Sequence, residues 1–384
     1  MTTELSLRES LLCKAQVSWS VSAPVAQLHE QLGREPLSLL FLFVTPYADF
    51  NAVVSETEKL YPGTDVVACT TAGEIGATGY DEGLIVAVGF PACDFASTCL
   101  AFPRLDQLQI NAETDRIAQE RVALQERSPQ METGFACLMV DGLSRREDAL
   151  TAMISPALRD MPMFGASAGD GTDFQTTLVA LNGRIMIGGA VLSLVRTTHK
   201  TKVFSLDHLV PTDTRMVVTE ADPALRIVKS INAEPAGREY ARIVGKDPNQ
   251  LDRFTFASHP VVVRIGDDHH VRAIQQVNEA GELVFFSAID EGMVLTVAKP
   301  LNMADHLRQK LESMSEKEHF TDIIGFDCIL RKIEAEQSQM SLRLSKVMAE
   351  YNVTGFSTYG EQIGPLHVNQ TMTGVAFYPK EPAG

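Results

Sequence analysis

The chain is short of cysteine, basic residues and long apolar runs, and each shortage removes a class of function. Six cysteines stand among 384 residues, and none forms a CxxC pair. That excludes the usual zinc-ribbon and thioredoxin-type arrangements and covalent c-type haem attachment. Cys69, Cys137 and Cys328 sit inside apolar strand-like runs, where a thiol serves as a small hydrophobe. Lysine and arginine total 33 against 49 acidic residues, a net charge of −16. So acidic a chain argues against nucleic acid and anionic lipid as partners. The longest apolar stretches, such as LSLLFLFV, are too short to cross a bilayer. The opening MTTELSLRES has no apolar core of a signal peptide, so no membrane insertion and a cytoplasmic location are expected. No GK[ST] P-loop is present. GASAGDG runs into strand-like FQTTLVAL rather than a helix, which excludes a Rossmann phosphate turn.

What is present is a threefold plan. An apolar strand, an amphipathic helix and a second strand ending in a glycine turn occur at 37–73, 135–169 and 323–360. The turns read TTAGEIG, GASAGDG and STYGEQIG, and a further strand-like run follows each. From strand end to turn glycine the spacing is 29, 29 and 30 residues, for Val44 to Gly73, Val140 to Gly169 and Leu330 to Gly360. Helices are expected near 49–61, 144–159 and 333–351, the second opened by a Ser144–Glu147 capping box. From about Phe254 to Val297 short alternating runs separated by GDDHH and NEAGE predict antiparallel strands. The expected class is α/β with mixed sheets in two domains, 28–222 and 223–384, after an N-terminal segment 1–27.

An acid follows the turn glycine in every unit: Glu74, Asp170 and Glu361. A turn acid can accept bonds from backbone amides, so part of this pattern is structural. In the third turn Ser357, Thr358, Tyr359 and Glu361 offer donors and acceptors to a small ligand. Position 359 is tyrosine, so GxSxG is not met, and no base is supplied locally; catalysis ranks below ligand contact. The histidines are the candidate haem or metal ligands. His29, His306 and His319 read as surface residues, His199 as part of a polar turn, and His269 and His270 as a solvated hairpin. His208, His259 and His367 lie beside strands among apolar residues and prolines, where a packed imidazole competes with a ligand role.

GFSTYGEQIGPLHVNQTMT resembles the signature of the FIST C domain, with Thr358, Tyr359, Gly360, Glu361, His367, Asn369, Gln370 and Thr371 at its motif positions. Val368 between the histidine and Asn-Gln departs from that pattern. DVVACTTAGEIG and MPMFGASAGDG resemble the paired turns of the FIST N domain, and INAEPAGREY the segment joining the two. The resemblance implies a sensory, ligand-binding protein of signal transduction rather than an enzyme. Free-standing members of this size include haem-based nitric oxide sensors (NosP type) that act on a histidine kinase. It therefore implies haem b as cofactor, nitric oxide as ligand and a sensor histidine kinase as partner in a two-component system. His259 is the first choice of axial ligand, with His208 and His367 after it. The alternative is a haem-free sensor of a small organic ligand, such as an amino acid, held by Ser357, Thr358, Tyr359, Glu361, Asn369 and Gln370. A hydrolase using Ser357 or Thr358 ranks last. Self-association into a homo-oligomer stays open.

Overall fold

The computed structural model describes residues 10–266, 268–316 and 318–380. The start of the N-terminal stretch (1–9) and Asp267 of GDDHH lie outside the described residues. The class is α/β with mixed sheets, as expected.

Each apolar strand heads a sheet buried on both faces, which is why it reads as a continuous apolar run. In Leu37–Val44 the side chains of Phe41 and Phe43 point to a common centre, and those of Leu40, Leu42 and Val44 point to the unit's own helices. Thr133–Val140 and Asp322–Cys328 divide their faces in the same way. The centre is one core fed by all three sheets: Phe41, Phe43, Phe135, Phe164, Phe326, Phe356 and Phe377 meet there. Burying each ring contributes about 2–3 kcal/mol.

In every unit the first strand pairs in parallel with the second across a helix, and antiparallel with the last. The repeat is longer than its sequence pattern. An edge strand and a helix precede the first strand each time: Cys13–Ser18 with Pro24–Leu32, Phe95–Phe102 with Ile110–Arg127, and Lys200–Leu206 with Met303–Ser315. The hairpin after each turn leaves its own sheet and extends a neighbour's. Glu74–Gly76 of the first unit pairs with Val353–Thr358 of the third. Val179–Leu181 of the second pairs with Asp65–Thr70 of the first. Glu361–Ile363 of the third pairs with Met163–Ser167 of the second. The exchange closes a ring of three units.

In the third unit about ninety residues are inserted between edge strand and helix. They form a separate antiparallel sheet, with strands from Leu209–Asp222 to Val294–Pro300, packed on helix Ala236–Val244. The antiparallel strands expected here are present, but Arg253–Ser258 is helical, started by Asp252, whose carboxylate accepts the Thr255 N–H at 2.7 Å.

Two helix expectations change. The helix near 333–351 is two helices, Ile329–Gln337 and Ser341–Glu350, parted at Gln339, whose φ is 58°. The Ser144–Glu147 capping box does not form. The second helix runs Glu147–Leu158 with Arg146 at its N-cap, and Glu147 is drawn instead into a buried ion pair with Arg226 of the insertion. The cap forgone is worth about 1 kcal/mol. Among the described residues no helix is long and apolar enough to cross a membrane.

Candidate functional site

The three glycine turns meet and bond to one another. Ala72 N–H donates to the Ser357 carbonyl at 2.8 Å, and Ser357 N–H to that of Gly73 at 2.7 Å. Gly169 N–H donates to the Thr70 carbonyl at 3.0 Å, and Ser167 N–H to that of Gly360 at 2.8 Å. The approach is close enough that a Cβ on Gly169 would sit 2.8 Å from the Ala72 Cβ. Three strand ends thus satisfy each other's backbone groups away from water.

The turn acids serve this hub in different ways. The Asp170 carboxylate accepts N–H groups of Phe174, Gln175 and Thr176 at 2.9, 2.7 and 2.6 Å, and the Tyr359 hydroxyl as well. Glu74 accepts from the Thr71 hydroxyl and from Leu84 N–H. Burial pushes its carboxyl up to about 7, although those donors and Lys332 pull the other way. Glu361 is fully buried; its Oε2 accepts the Thr371 hydroxyl at 2.8 Å, and burial holds its carboxyl well above the usual range.

Most polar residues of the third turn are occupied inside the hub. Thr358 Oγ1 bridges the Ser167 and Gly360 backbones, with contacts of 2.7 to 3.1 Å. Asn369 Nδ2 reaches the Tyr359 carbonyl at 3.4 Å, and Gln370, at φ 51°, is buried. Ser357 Oγ is buried and has no hydrogen-bond partner among the described residues.

Two signature residues face a cavity of about 180 Å³: Tyr359 and His367. Its other walls come from the loop Gly142 to Glu147, from Phe174, and from the insertion through Leu225, Arg226, Gln275 and Val284 to Phe286. Tyr359 stacks on Phe174 with ring centroids 4.3 Å apart, and its phenol is held well above its ordinary range by burial and by Asp170. Arg226 Nη2 lies 2.6 Å from Glu147 Oε2 and 3.5 Å from Asp148 Oδ2, and Nη1 donates to the Phe286 carbonyl. Arg145 is exposed at the mouth, with no hydrogen bond or ion pair among the described residues. The walls therefore offer an unpaired cation, a paired cation and anion, a neutral imidazole and a stacked aromatic pair. His367 stays neutral because burial lowers its pKa, against the pull of Glu147 and Asp148.

The histidines separate by environment. Both ring nitrogens of His208 are engaged, Nδ1 with Arg331 Nη1 at 2.8 Å and Nε2 with Glu334 Oε1 at 3.0 Å. His259 is half-buried at the end of helix Arg253–Ser258, with Nδ1 3.2 Å from the Thr255 carbonyl, and it does not line the cavity. His199, expected in a polar turn, is buried against Phe95 and lies 3.4 Å from Asp94. His29 is half-buried with its edge against Tyr61, His306 is half-buried, and His269 and His319 are exposed. Haem does not fit these surroundings as they stand. The cavity is smaller than the ~300–1,000 Å³ of sites for drug-sized ligands, and only His367 among the three candidates borders it. Among the described residues no group of three or more His, Cys, Asp or Glu could hold a metal ion.

Arg145, Glu147, Phe174 and Arg226 carried no ligand signal in the sequence. Arg226 and Glu147 are 79 positions apart and meet only through the insertion's docking. Glu147 was visible, but as a helix cap.

Two family models match the chain. The FIST N domain covers residues 38–234 and the FIST C domain residues 236–364. No curated protein matches the chain significantly.

Proposed function

The chain belongs to the FIST family, whose domains sense small ligands in signal transduction, and from that premise we propose that it binds a small polar organic molecule in the cavity bordered by Tyr359 and His367. The observation that carries this reading is the convergence of those signature residues with Arg145, Glu147 and Arg226 on one cavity. A zwitterion of amino-acid type matches the walls: its carboxylate meets Arg145, its ammonium Glu147, and its side chain the Tyr359–Phe174 stack. The role is binding without turnover. Thr358 Oγ1 is committed to backbone groups, Ser357 has no base beside it, and neither lines the cavity.

A calorimetric titration with the twenty amino acids tests the reading. Arg145→Ala should reduce the affinity of any binder about tenfold or more and leave unfolding free energy within about 0.5 kcal/mol, because the side chain is exposed and unpaired. Unchanged affinity in that variant would place the ligand elsewhere.

The neutral imidazole of His367 in the cavity wall favours a second reading, the haem-based nitric oxide sensor that modulates a histidine kinase. It requires the cavity to widen. An absorption spectrum after haemin addition, reduction and nitric oxide decides it. A saturable Soret band that shifts with nitric oxide and is lost in His367→Ala supports it, and no stoichiometric uptake ends it.

A further inference from the structure

The inserted domain, 209–300, has hydrophobic clusters of its own, and none of their members comes from the three-unit body. Met216, Val228, Tyr240, Phe285 and Leu295 are among the residues at its centre. Two adjacent segments join it to the body, bridged where Leu301 N–H donates to the His208 carbonyl at 2.7 Å. On this neck the His208 imidazole is held between Arg331 and Glu334 of helix Ile329–Gln337, and helix Arg253–Ser258 touches that same helix. The neck is therefore fixed to the body.

Away from the neck, polar contacts between inserted domain and body gather on Glu147, Asp148 and His367. Arg226 reaches Glu147 and Asp148, Ala288 N–H reaches Asp148 Oδ2 at 3.4 Å, and Arg272 Nη1 reaches the His367 carbonyl at 3.2 Å. Glu147 and His367 line the cavity, and Asp148 is next to Glu147. The docking seam and the cavity are thus one place. Arg226 holds a left-handed backbone, φ 59°, at the last position of the turn before strand Ile227–Ile231, a conformation uncommon for a residue other than glycine. Arg272 is 6% exposed and its Nε has no partner, so one side of the seam has an unmet donor.

We propose that the inserted domain is the moving jaw of the sensor: it pivots on the His208–Leu301 neck, is latched by Arg226 on Glu147, and is set open or closed by what occupies the cavity. This rests on the ligand reading above for its trigger, but the jaw itself is a property of the ligand-free chain. Polar seams between separately cored domains permit relative motion. A ligand whose ammonium takes Glu147 competes with Arg226 for that carboxylate, so it binds the unlatched form better and shifts the population toward it.

Hydrogen–deuterium exchange on the full chain without ligand tests the jaw. Glu147→Gln should raise exchange at 142–148, 224–228 and 285–289 by about tenfold or more. Strands Val261–Ile265 and Val294–Pro300 of the jaw, and Leu37–Val44 of the body, should keep wild-type protection. Wild-type protein in 1 M salt should show the same pattern more weakly, since ions screen the latch. Unchanged seam exchange in Glu147→Gln overturns the latch, and loss of protection throughout 209–300 overturns a jaw that moves as a folded unit. Failure of Arg145→Ala to weaken amino-acid binding would overturn the ligand reading and leave these exchange results standing.

Discussion

Arg331→Met should lower the stability of the chain by about 3–5 kcal/mol in urea denaturation at neutral pH. Arg331 is the bulkiest of the fully buried side chains. Its Nε donates to Asp327 Oδ1 at 2.7 Å and its Nη1 to His208 Nδ1 at 2.8 Å. Tyr80 donates to the other Asp327 oxygen. Burial works against charge on the guanidinium, but Asp327 outweighs it and holds the group above its ordinary range. Methionine fills a similar volume and removes the charge, so the buried Asp327 carboxyl keeps only Tyr80 as a side-chain partner. The cost is that of an uncompensated buried carboxylate, not of lost volume. A second change separates these causes. Arg331→Met with Asp327→Leu removes both charges and should recover most of the loss. A double variant as unstable as the sum of the singles would show that the two residues act independently, and the account would fail. His208 loses a partner in the same change, so the neck of the inserted domain should loosen with it.

The second large effect depends on pH and comes from the turn acids. Glu74 and Glu361 have carboxyls raised by burial, Glu74 to about 7. A carboxyl raised in the folded state keeps a proton that the unfolded chain releases. Below the unfolded value, near 4.5, both states are protonated and folding carries no cost. Above it, stability falls by up to about 1.4 kcal/mol per pH unit for each group until the folded value is passed. For Glu74 the window runs from 4.5 to about 7, which amounts to about 3 kcal/mol. For Glu361 the loss continues upward in the same direction. Glu74→Gln should therefore gain about 2–3 kcal/mol relative to wild type between pH 5 and pH 7.5, in urea titrations at both values. Glu361→Gln should tilt the pH profile in the same sense. Glu361→Ala should be less stable than wild type throughout, because it loses the Thr371 bond and leaves a void in the hub. If Glu74→Gln differs from wild type by the same amount at both pH values, its carboxyl is not raised.

Local pattern explains why so much of the architecture was legible. The repeated strand, helix and glycine turn depend on residues within about thirty positions of one another, and apolar periodicity reports them directly. Edge strand Phe95–Phe102 and helix Ile110–Arg127 were harder to see. The strand has few fully buried positions, and the helix buries only Ile117 and Leu124. Glu147 shows the opposite failure: a correct local signal for a cap lost to a long-range ion pair.

By itself the sequence determined three related units, their glycine turns with an acid after each, a block of antiparallel strands and the family. All of these are set by short-range spacing and composition. Tertiary structure alone decided that each unit's hairpin completes a neighbour's sheet, that Tyr359 and His367 face the cavity while Thr358 and Glu361 hold the hub, and that Arg226 crosses to Glu147. Strand backbones offer bonding edges to any suitable partner, and a charge pairs with whichever opposite charge docking brings near. Which edge and which charge are met is settled by the packing of the whole chain, to which no local stretch has access.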